Sequence, residues 1–214
     1  MIANENDNRC ALTILCPTEE DIKTIKDAFT SVSCKINITK EDDNVYVLTA
    51  EYEHDQEVYL FGSLDLSNEM ELVFSYYLTA EERWVFHYDE DYRAEVIEQF
   101  LALLWFPAVN AGCDARDVSD VIKGSCQYYS VKGKSLADIL SQEEKLLSGL
   151  KEQYSNKEFS IFLLLSGDIR LGYMNDIDAV ARKYVPTKGY DNIWWQAIYK
   201  ESEEIILSLF IHVN

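Results

Sequence analysis

Near residue 91 the apolar residues change their period, and with it the structure they can build. Before that point they come in short alternating runs: Cys34-Lys35-Ile36-Asn37-Ile38, Val45 to Tyr52, Glu57 to Leu64, Glu71 to Leu78 and Arg83 to Tyr88. A period of two puts every second side chain on one face of a strand. Asn and Asp fill the gaps, as in Glu41-Asp42-Asp43-Asn44, where their short side chains favour turns. After residue 91, Val96, Ile97, Phe100, Leu101, Leu103 and Leu104 fall at helical spacing between Asp91 and Phe106. Pro107 ends that helix, because proline lacks the N–H that helix continuation needs.

The remaining elements follow from the same signals. Ala11 to Cys16 reads as a strand, and Thr18 as the cap of a helix carrying Asp21 in its first turn and Ile22, Ile25, Ala28 and Phe29 at helical spacing. Residues 1–91 therefore read as an α+β module with a mainly antiparallel sheet. In residues 92–214, the stretch 92–106 reads as a linking core helix. Asp114 reads as the N-cap of a helix ending near Gly124, with Asp117 in its first turn. Residues 126–131 suit a strand, Lys132-Gly133-Lys134 a turn, and Ser135 caps a helix with Leu136, Ile139, Leu140, Leu146, Leu147 and Leu150 on one side. Phe159 to Leu165 is an apolar strand. Asn175 is expected to cap a helix carrying Ile177, Val180, Ala181 and Tyr184. Asn192 to Tyr199 and Ile205 to Val213 are strands joined by the acidic turn Glu201-Ser202-Glu203-Glu204, and a hairpin is the simplest pairing.

Charge separates the two halves as well. The 214 residues include 19 Lys plus Arg and 38 Asp plus Glu, a net charge of −19. Residues 1–91 hold 21 acids and 6 bases, a net of −15, against 17 and 13, a net of −4, for residues 92–214. Such a surface disfavours nucleic acid and anionic membranes, which need basic contacts. The five cysteines (Cys10, Cys16, Cys34, Cys113 and Cys126) form no CxxC pair. Neither a zinc site nor a disulfide framework is expected, and a reducing, cytoplasmic setting is. The first ten residues are polar, without the apolar stretch of a signal peptide. The longest apolar runs, near 100–109 and 205–213, are too short or too interrupted to span a bilayer.

From residue 92 onward the order of elements resembles the C-terminal domain of the tubulin/FtsZ family. The carrying segments are FLALLWFPAVNAGCDARDVSDVIKG, a core helix running through a proline loop into an Asp-x-x-Asp-Val helix start; SCQYYSVKG; the helix of residues 135–153; FLLLSGDIRLGYMNDIDAV; and NIWWQAIYKESEEIILSLFIHV, which resembles the family's closing hairpin. The resemblance implies a two-layer α/β sandwich. It also implies that Asp114 and Asp117 match the family's two loop aspartates, which reach the nucleotide held by the next subunit of a filament. Pro107 and Asn110 lie on the same loop. The family's GTP site is a glycine-rich loop in its N-terminal domain, where backbone amides approach phosphates closely. The eight glycines here (62, 112, 124, 133, 149, 167, 172 and 189) include no adjacent pair and no GxG. The acidic first module stands where the GTP-binding domain would be.

Each candidate also has a plain structural reading. Asp114 and Asp117 suit a helix cap and first-turn acid, worth about 1 kcal/mol of helix stability. His54, His87 and His212 are isolated from one another; a catalytic His needs a nucleophile or an orienting acid beside it in space, so structural or surface roles are the expectation. Asp89-Glu90-Asp91 and Glu41-Asp42-Asp43 lack the DxDxDG spacing of a calcium loop. Cys113 adjoins a carboxylate, which opposes thiolate formation. Trp194 and Trp195 are adjacent on a strand and so point to opposite faces; one is expected in the core and the other at a contact surface, and Tyr128 and Tyr129 pose the same alternative. The expectation is a non-enzymatic interaction protein without cofactor or metal, whose partner is another copy of itself or an FtsZ-type filament in cell division. The alternative is a stand-alone acidic binder or inhibitor of a basic partner, of the immunity or nucleic-acid-mimic type.

Overall fold

Ile14, Leu64, Leu72 and Trp84 form one row across four strands, each almost fully buried. Burying each such side chain contributes about 1.5–3 kcal/mol. The row belongs to a computed structural model that describes residues 9–30, 34–52, 60–76, 82–105, 124–155, 157–170, 172–185 and 192–213. The chain divides into two compact units, Met1–Leu101 and Ala102–Asn214. The fold is α+β.

In the first unit the strands are β1 (Arg9–Leu15), β2 (Cys34–Asp42), β3 (Val45–Tyr52), β4 (Leu60–Asp65), β5 (Met70–Tyr76) and β6 (Glu82–His87). They lie in the order β2-β3-β1-β4-β5-β6. The β1–β4 pair is parallel and the others are antiparallel. Helix α1 (Glu19–Thr30) connects β1 to β2. It starts as the Thr18/Asp21 spacing requires: the Thr18 N–H donates to Asp21 Oδ2 at 2.8 Å and the Asp21 N–H to Thr18 Oγ1 at 3.1 Å, a reciprocal capping box. A 3-10 turn (Glu90–Tyr92) leads into α2 (Arg93–Trp105). The Phe100 ring of α2 lies 5.2 Å from Phe86 and 6.3 Å from Trp84, centroid to centroid.

In the second unit the order is β7 (Gly124–Gly133), β10 (Ile205–Val213), β8 (Phe159–Gly167), β9 (Ile193–Tyr199). Helices α3 (Leu136–Gln153) and α4 (Gly172–Tyr184) pack on one another; α3 also covers β7 and β10, and α4 covers β9. Their core residues include Ile139, Leu147, Leu150, Ile177 and Ala181, set against Ile161, Leu163, Leu207 and Leu209. Ser135 caps α3 by accepting the Asp138 N–H at 3.2 Å. On the opposite face of the sheet, Phe210 packs on Tyr128 at 5.2 Å and on Phe162 at 6.5 Å, and the Tyr128 hydroxyl lies 3.0 Å from Ser208 Oγ.

Two expectations are overturned here. Helix α4 begins at Gly172, three residues before Asn175, so Asn175 lies within the first turn rather than capping it. The last two strands do not form a hairpin: β9 pairs parallel with β8, and β10 pairs antiparallel with β8 from its other side. The reason is that β8 is apolar along almost its whole length and buried on both faces, a pattern suited to a central strand rather than one neighbour of a hairpin. The link 200–204 passes over the end of β8 at Gly167, whose carbonyl accepts the Lys200 N–H at 3.0 Å. Gly167 has φ +131°, and a Cβ there would lie 2.7 Å from the Glu204 carbonyl oxygen, so only glycine permits the crossing.

Candidate functional site

The loop residues Pro107, Asn110, Asp114 and Asp117, together with the helix expected to start at Asp114, lie outside the described residues, as do His54 and Cys113. Trp194 and Trp195 lie on β9, the outermost strand of the second unit's sheet among the described residues. Both are half-buried rather than divided between core and surface, and Trp195 packs on the helix-face core. The physical reason is position: an outer strand has neighbours on one edge only, so both indoles keep part of their area in solvent. Tyr199, at the end of the same strand, is 58% exposed. Beneath them Ile193 and Ala197 are buried on one face and Gln196 and Ile198 on the other. The strand IWWQAIY thus has three aromatic rings, no charged side chain and no proline along its length.

Ionisable groups are dispersed. His87 Nδ1 lies 2.6 Å from Glu69 Oε1 at a partly exposed position. His212 Nδ1 lies 2.9 Å from the Ser125 carbonyl. Among the described residues no group of three or more His, Cys, Asp or Glu side chains is placed to hold a metal, and no helix is long and apolar enough to cross a membrane. Burial pushes the Cys126 thiol up to about 12, so it remains protonated and inert. Burial, with Tyr154 beside it, likewise raises the Tyr129 phenol to about 12. Tyr129 lines an open groove of about 500 Å³ between β7 and α3, with Val131, Gln142, Lys145, Leu146 and Gln153 around it.

Two features escape the sequence patterns. Glu143 is fully buried between α3 and α4, although it sits in the polar run Ser141-Gln142-Glu143-Glu144-Lys145. Its place four residues after Ile139 and four before Leu147 puts it on the core stripe, and that is the signal that could find it. Arg93 and Asp21, the latter buried, form a part-buried pair 72 residues apart in sequence, and nothing local to either residue announces the other.

No family model matches this chain, and no curated protein does. Among solved structures, the chain is similar to an empty FtsZ dimer of M. jannaschii, at 16% identity and a TM-score of 0.47. The match covers 58% of this chain and spans 37% of the length of that one.

Proposed function

We propose that this chain is a non-enzymatic interaction protein, and that its second unit presents the outer strand β9 to a protein partner. The carrying observation is the aromatic, uncharged β9, with Trp194 and Trp195 half-buried and Tyr199 exposed at its end. Tyr and Trp are the residues that most often anchor protein contacts, and an outer strand without charge or proline lacks the usual protection against pairing with another chain. The partner is an FtsZ-type filament or a second copy of this chain, with the Asp114–Asp117 loop as a further contact. The absence of any GxG or paired glycine in the sequence supports a role without nucleotide turnover of its own.

A pelleting assay with FtsZ and GTP, run beside sedimentation velocity on the protein alone, tests this reading. Co-pelleting or self-association is expected, weakened at least tenfold by Tyr199→Asp and, for the filament, by Asp114→Ala with Asp117→Ala. Filament mass and GTP turnover unchanged at excess protein, together with a monomer at every concentration, would contradict it.

A second reading rests on charge. Three quarters or more of the net charge (−15 of −19) lies in residues 1–91, which suits a binder of a basic protein. Its contacts would be exposed and screened by salt.

A further inference from the structure

Helices α3 and α4 meet along a seam that is polar at its rim and holds an acid at its centre. At the rim, the Tyr184 hydroxyl donates to Glu144 Oε1 at 2.9 Å, Lys183 Nζ stands 3.7 Å from the same oxygen, and Lys151 Nζ donates to the Lys183 carbonyl at 3.4 Å. Beneath it, Glu143 is 0% exposed and neither of its carboxyl oxygens has a hydrogen-bond partner. On the facing helix, Asp178 Oδ1 is also buried without a partner, while its Oδ2 accepts from Arg182 Nε at 2.6 Å. An ionised carboxylate with no donor, on the buried helix face it shares with Ile139, Leu147 and Leu150, would cost several kcal/mol. A neutral carboxyl would not.

We propose that Glu143 is a proton-linked latch: protonated, it lets α3 and α4 close over it; ionised, it draws in water and loosens the pair. The groups that act on it are Asp178 and Lys183 from α4 and Glu144 from its own helix. Of the strands packed on α3, β10 turns Leu207 and Leu209 to the same core, and β7 turns Val131 and Tyr129, whose phenol stays neutral below about 12. Burial first, and then the like charge of Asp178, raises the Glu143 carboxyl to about 8; Lys183 opposes this and is outweighed. A raised folded-state pKa means the closed pair binds the proton more tightly than the open one. Its stabilisation is therefore complete below the ordinary carboxyl range and is lost as pH rises to about 8. The latch would loosen progressively from the ordinary carboxyl range up to about pH 8 and change no further above it.

Amide hydrogen exchange of α3 and α4 in the full chain, divided at each pH by the intrinsic chemical rate, reads the opening directly. The wild type is expected to open by up to about tenfold more per pH unit between pH 5 and 8, then level off. Glu143→Gln should be flat over that range, and Asp178→Asn should move the wild-type midpoint to lower pH. A pH-independent wild type, or an equal slope in Glu143→Gln, would overturn the latch. Should Glu143→Gln fail to fold, an unmoved midpoint in Asp178→Asn would overturn it instead.

Discussion

Arg93 grips Asp21 with both arms of its guanidinium: Nε donates to Oδ1 and Nη2 to Oδ2, each at 3.0 Å, with the two side chains 16% and 4% exposed. The same Nη2 reaches the Leu66 carbonyl at 2.5 Å, and Nη1 lies 3.3 Å from the Tyr88 hydroxyl. One side chain at the start of α2 thus ties the cap of α1 to the end of β4. Arginine suits the place, because its planar fork matches a carboxylate and leaves a donor to spare.

Removing one partner should cost far more than the pair contributes, because it strands a buried charge. Arg93→Ala is expected to destabilise the first unit by about 3–5 kcal/mol, measured by urea unfolding. Burial raises the Asp21 carboxyl, but the hydrogen bonds from Arg93 and Thr18 outweigh it and leave the group below its ordinary value. A depressed folded-state pKa gives stability that is present above the ordinary carboxyl range and lost as pH falls through the folded value. Asp21→Asn should therefore remove part of the acid limb of the stability curve, while leaving the alkaline limb unchanged.

Gly167→Ala should disturb the end of β8 and the link to β10. The positive φ and the 2.7 Å approach to the Glu204 oxygen together predict a loss of at least about 2 kcal/mol. Gly149, with nothing within 4 Å of a built Cβ, is the control: Gly149→Ala in the middle of α3 should stabilise by about 0.5–1 kcal/mol.

Phe100→Ala removes the ring against which Trp84 and Phe86 pack and should cost about 3–5 kcal/mol. Because Trp84 is 1% exposed, its emission should shift to the red in this variant. Phe100→Leu should retain most of the stability.

Thiol reactivity should follow burial. Mass-spectrometric mapping of alkylation is expected to find Cys16, exposed before α1, labelled in the native protein. Cys126, buried with its thiol near 12, should label only on unfolding. Rapid native labelling of Cys126 would mean that β7 opens far more readily than its packing implies.

Local signals made many of the elements legible. The Thr18/Asp21 spacing and the cap residue Ser135 placed two helix starts, because a cap is settled within four residues. The alternating strands of the first unit appear where their period placed them, although part of the Glu57 to Leu64 and Glu71 to Leu78 runs lies outside the described residues. Pairing was less legible. Adjacency in sequence favours a hairpin for the last two strands, yet the long apolar run of β8 demands neighbours on both edges, and only the tertiary structure reveals which strands supply them. The same limit hid Glu143 and the Arg93–Asp21 pair, whose energies depend on partners on other elements. At the candidate site, one strand carrying Trp194, Trp195 and Tyr199 was legible in sequence, but its outer position in the sheet was not.

The interaction role is tested most directly by partner binding measured against salt, in the wild type and in Tyr199→Asp. Binding through β9 predicts an affinity that changes little between low and high salt and falls at least tenfold in the variant. Affinity that collapses as salt is added, and that Tyr199→Asp leaves unchanged, would contradict it and assign recognition to the acidic first unit instead.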